Sequence, residues 1–120
     1  MAVMRNDLIL TAQVDDPTGR FSQFVADLAA SLGAKDSAVR TRPNGRRAVI
    51  RTATGVVTPG VSEGGFGVGI ESVTDDDHAH NSYADRVHIA VASALPDVRV
   101  DLLDETDQVI RSVTQHTPAA

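Results

Sequence analysis

DDPTGRFSQFVADLAASLG, residues 15–33, carries a complete amphipathic helix together with its start and stop signals. Asp16 is placed to cap the N-terminus and Pro17 occupies the first helical position, where its missing N–H is no loss. Phe21, Phe24, Val25, Leu28 and Leu32 recur at helical spacing, while Gln23, Asp27 and Ser31 fall on the opposite side. Gly33 supplies the C-terminal stop. One helix with a single apolar stripe needs a sheet or further helices to bury it, so its flanks decide the fold class.

On the N-terminal side, residues 7–14 (DLILTAQV) alternate as a strand does, with Leu8, Leu10, Ala12 and Val14 sharing one face. On the C-terminal side, residues 37–42 and 46–53 flank Asn44-Gly45, a pair suited to a type I′ hairpin turn. GVVTPGVSEGG reads as a loop, and residues 65–73 (GFGVGIESV) as a strand. Ser82 and Asp85 fit a capping box ahead of a second stripe of Tyr83, Val87, Ala90, Val91, Ala94 and Leu95, which Pro96 ends. Residues 98–103 and 108–113 suit a second hairpin across DETD, with residues 114–120 as a frayed tail.

The expected order is β-α-β-β-β-α-β-β, a single α+β domain over residues 1–113. Its antiparallel or mixed sheet would carry two helices on one face. A β-α-β-β-α-β core of the ferredoxin-like kind is contained in that order. The likeness concerns topology alone, and such a fold hosts many functions.

Composition narrows the function classes. The chain has 120 residues, 42% of them apolar, enough for one packed core. Cysteine is absent, which excludes disulfides, thiolate nucleophiles and thiolate metal sites. With three Phe, one Tyr and no Trp, a base-stacking platform is disfavoured. No apolar run reaches membrane-spanning length and MAVMRNDLIL lacks a signal-peptide pattern, so a cytoplasmic protein without membrane contact is the expectation. The formal net charge is −5, against the basic balance of most nucleic-acid binders.

Within that acidic chain, Arg40, Arg42, Arg46, Arg47 and Arg51 are five of eleven basic residues. A two-residue turn at Asn44-Gly45 sets Arg42 opposite Arg47 and Arg40 opposite Val49. Period two then gathers Arg40, Arg42, Arg47 and Arg51 on one face, leaving Val39, Thr41, Ala48 and Ile50 for the core. Like charges across a sheet cost about 0.2–1 kcal/mol per pair, so a negative group is expected nearby. The chain's own late acids (Asp75, Asp76, Asp77, Asp101, Asp104, Glu105 and Asp107), an acidic partner and a phosphate are the candidates. Solvation of the arginines by water alone is the plainer reading.

Gly65, Gly67 and Gly69 lie at spacing two, which fits neither a dinucleotide fingerprint nor a P-loop. On a strand they make one bare face that something approaches closely. Packing of a core helix is the commoner reason, and a ligand groove or subunit contact the alternative. The TDDDHAH stretch, residues 74–80, offers Asp76, His78 and His80 as metal ligands, yet matches no zinc or EF-hand pattern. A loop that complements the following helix dipole is the simpler account.

These observations favour a small non-enzymatic interaction or assembly module, self-associating or binding another protein through the arginine hairpin, without a cofactor. The alternative is a domain that binds a phosphorylated ligand, nucleotide or nucleic acid through the same hairpin and the glycine strand. A second alternative is a small metal-dependent enzyme using Asp75–His80.

Overall fold

The computed structural model describes residues 3–35, 39–41, 46–62 and 64–114. Strand β1 (Val3–Thr11) is followed by helix α1 (Pro17–Ser31), β2 (Val39–Thr41), β3 (Ala48–Arg51), β4 (Gly55–Ser62), β5 (Gly65–Thr74), helix α2 (Asp77–Ala94), β6 (Val100–Leu103) and β7 (Val109–Val113). All seven strands form one sheet in the order β2-β3-β4-β5-β1-β6-β7, and every pair is antiparallel. The α+β class is therefore as expected. Setting aside β2, β3 and β7 leaves β1-α1-β4-β5-α2-β6 with sheet order β4-β5-β1-β6, the ferredoxin-like arrangement.

Helix α1 begins and ends where its signals lie. The Asp16 side chain accepts a hydrogen bond from the Gly19 N–H, and Gly33 takes a positive φ of 69° just beyond the helix. Helix α2 starts earlier than the Ser82–Asp85 box suggested. Asp76 is its cap, accepting from the His78 N–H at 3.0 Å, and Asp77 in the first turn complements the dipole. Ser82 and Asp85 thus lie inside the helix, because the aspartates upstream satisfy its first N–H groups.

Residues 55–65 correct the expected loop: most of them form β4, paired with β5 from Gly55↔Ser72 to Ser62↔Gly65. Pro59 gives the stretch its loop-like look. The β4 ladder to β3 consists of Ile50↔Val57 and Arg51↔Val56, resuming as an isolated bridge at Arg47↔Gly60. The gap falls beside Pro59, which has no N–H to offer, so the strand survives on its β5 side.

The core lies between the helices and one sheet face. Ile9, Ile50, Val57, Phe66, Val68, Ile70, Val100 and Leu102 face Phe21, Phe24, Val25 and Leu28 of α1 and Tyr83, Val87 and Val91 of α2. Phe66 stacks on Phe24 with centroids 4.3 Å apart and meets Phe21 at 6.0 Å. On β1, Ile9 is fully buried, while Leu8 and Leu10, on the other face, look away from the helices. Asp7 shares the face of Ile9, and its burial depends on a partner 73 residues away in the sequence.

Phe66 is buried and joins the sheet to α1, so Phe66→Ala should lower unfolding free energy by about 3–5 kcal/mol. Urea denaturation followed by circular dichroism measures it.

Candidate functional site on the open sheet face

Both helices sit on one face, and no helix or strand among the described residues covers the other. Its rows follow from the strand registers. One row runs Arg47, Gly60, Gly67, Leu10, Asp101, Ser112. The next runs Thr58, Gly69, Leu8, Leu103, Val109, and a third runs Arg51, Val56, Glu71, Asn6. Met4 (60% exposed) and Val73 (63% exposed) extend the face toward one end. A groove of about 490 Å³ lies over β4 and β5, with Gly60, Gly67 and Gly69 as floor and Leu8, Leu10, Arg47 and Val49 around it.

The hairpin register is the one expected, with Val39↔Ile50, Arg40↔Val49 and Thr41↔Ala48. Ala48 and Ile50 are buried while Arg40, Arg47 and Arg51 are exposed, which puts these three arginines on the open side. Arg42 and the Asn44-Gly45 turn lie outside the described residues. No acid among the described residues forms an ion pair with Arg40, Arg47 or Arg51; the chain's late acids are engaged elsewhere or lie at the far end of the sheet. That end holds Asp101, Asp104, Glu105 and Asp107 against Arg99. Partial burial works to raise the Asp101 carboxyl, but the Ser112 hydroxyl and the Arg99 guanidinium outweigh it and hold the group below its ordinary range. Both of those hydrogen bonds fall on Oδ1.

The glycine strand presents its bare face to this open side, not to a helix as the commoner reading had it. Phe66, Val68 and Ile70 fill the helix side instead. Two glycines have a reason within the chain. A Cβ on Gly65 would lie 2.6 Å from Thr11 Oγ1, and one on Gly69 would lie 2.5 Å from Thr58 Oγ1. Gly67 and Gly60 differ, since a Cβ there would meet nothing closer than 3.6 and 3.5 Å, ordinary van der Waals distances.

The acidic-histidine stretch does not converge on a metal. Asp76 is spent on the helix cap, His78 is exposed, and His80 turns inward. His80 Nδ1 shares a 2.5 Å hydrogen bond with Ser72 Oγ, and its Nε2 lies 3.1 Å from Asp7 Oδ2. No group of three or more His, Asp or Glu suited to a metal occurs among the described residues. Sequence reasoning missed the Ser72–His80–Asp7 trio because its members lie on β5, α2 and β1. It has the residue types of a hydrolase triad, but Ser72 is 3% exposed beneath α2, so a substrate carbonyl cannot reach its hydroxyl. The arrangement satisfies buried polar groups and pins α2 to the sheet.

His88 pins the other end of α2. Fully buried, it donates from Nε2 to the Val100 carbonyl at 2.8 Å and accepts at Nδ1 from Arg111 Nε at 2.9 Å. Arg111 also pairs with Asp85 at 3.3 Å. Burial lowers the His88 pKa, the nearby Arg111 guanidinium adds to the effect, and the hydrogen bond to Val100 with the charges of Asp85 and Asp101 opposes it.

Asp7→Ala leaves His80 without its carboxylate and should cost about 1–3 kcal/mol in urea unfolding. For His88, the folded pKa lies below the unfolded value, so the unfolded chain binds more protons as pH falls through about 6.5. The Tm should therefore drop between about pH 7.5 and pH 5.5, and the drop should be shallower in His88→Asn. Calorimetry at both pH values checks the pair.

No helix among the described residues is long and apolar enough to cross a membrane. Comparison with protein-family models and with curated proteins finds no match to this chain, so the reading of the site rests on its geometry.

Proposed function

We propose that this protein is a self-associating assembly module whose contact surface is the open sheet face, with the arginine hairpin at one end. The observation that carries the reading is the pattern on that face. Exposed apolar side chains (Met4, Leu10, Val73) lie between a basic end on β2–β3 and an acidic end around β6–β7. A patch of this kind, apolar in the middle apart from Glu71 on β5 and charged at the margins, is what protein contacts use. A second copy of the chain brings both complementary charges to the same surface. The Ser72–His80–Asp7 trio, which has catalytic residue types, is walled in by α2 and so does not compete with this reading.

Light scattering coupled to size exclusion is the test. An oligomer is expected at low salt, weakened at about 1 M salt because the charged margins are screened there. Arg47→Ser with Arg51→Ser should weaken it further. A monomer under all these conditions removes the proposal.

A second reading draws on the groove itself, where Arg47 stands over a floor of glycine backbone. It is anion recognition, with a phosphorylated ligand held by the arginines. Titration with nucleotides and inorganic phosphate at low salt would give binding that weakens with salt; flat titrations end that reading.

A further inference from the structure

We infer that two copies pair face to face about a two-fold axis running parallel to the strands, along β5. The inference rests on the self-association proposed above and specifies its geometry.

A two-fold axis between two such faces has two simple orientations. Across the strands, it sets each strand against its own reversed copy, so the arginine hairpin lies on the arginine hairpin. Along β5, it exchanges β4 with β1 and β3 with β6, because the order is β3-β4-β5-β1-β6. Each residue then keeps its level along the strand. Aligned sheets pack within about 30° of parallel, so rows near the axis stay opposed.

The row through Arg47 is self-complementary under this operation. Arg47 comes over Asp101 of the second copy, Leu10 over its Gly60, and Gly67 over its own counterpart on the axis. Three independent observations fit. Asp101 takes both of its hydrogen bonds on Oδ1, which leaves Oδ2 to accept from an arginine. Gly60 and Gly67 have room for a Cβ within their own chain; Leu10 of the second copy arriving over Gly60, and the second copy's own β5 backbone arriving over Gly67, give their bareness a physical reason. The edges are poor alternatives for association: among the described residues β2 is three residues long, and the β6–β7 register shifts between Leu102 and Leu103. Seven strands about 4.8 Å apart over some six residues give roughly 600 Å² of planar area per copy, near what a standard interface buries.

The test uses the full chain and three single variants, Arg47→Asp, Asp101→Arg and Gly67→Val, each first shown to unfold in urea as the wild type does. Each single variant should dissociate at least about tenfold more readily in sedimentation equilibrium. The charge variants mixed one to one, and the double variant Arg47→Asp/Asp101→Arg, should both recover association, since each restores opposite charges at both symmetry-related contacts. Gly67→Val should be monomeric yet fully folded. If the wild type associates and the single variants associate equally well, or the double variant fails to recover, this geometry is overturned while self-association stands. A monomeric wild type overturns both.

Discussion

Two helices can cover only one face of a seven-stranded sheet, and most of this molecule's character follows from that limit. Phe21, Phe24, Val25 and Leu28 on α1, with Tyr83, Val87 and Val91 on α2, close the inner face into a continuous apolar core. The outer face receives what remains of each strand's alternation. Its composition is thus dictated by parity: residues that alternate with core positions become surface, whatever their chemistry. Leucine on β1, glycine on β5 and arginine on β3 reach the same side for this reason.

The inner face also holds polar groups that would be costly if unpaired. Ser72, His80 and Asp7 satisfy one another at the start of α2, while Val100, His88, Arg111 and Asp85 form a second chain toward its end. Between and beyond these two fastenings the helix packs through small and medium side chains, including Ala84, Ala90 and Ala92. Apolar burial supplies the attraction, but it slides easily along a sheet; directional hydrogen bonds fix where α2 rests.

Helix α1, the hairpin register and the late pair of strands were legible in the sequence because their signals are local: Asp16-Pro17, Gly33, and alternation on either side of Asn44-Gly45. What escaped depended on distant partners. Nothing local tells that Ile9, and not the face shared by Leu8 and Leu10, turns to the core, and nothing near Asp7 announces that His80 waits to pair with it. Strand β4 was hidden by Pro59 and two glycines, whose effect on pairing differs between its two neighbours. The acidic end of the open face was visible only as composition. Its position opposite the arginines needed the strand order, which brings β6 beside β1 at one end of the sheet and leaves β3 at the other.

The interrupted ladder beside Pro59 has one more consequence. Strands β2 and β3 join the rest of the sheet through Ile50↔Val57, Arg51↔Val56 and the lone Arg47↔Gly60 bridge, with the Val61 N–H bonded to the Arg46 carbonyl. So few backbone bonds tie this corner to β4 less firmly than β4, β5 and β1 are tied to one another. The arginines accordingly stand on the part of the sheet least tied to its neighbours by backbone bonds, while Ala48 and Ile50 on its inner side hold it to the core.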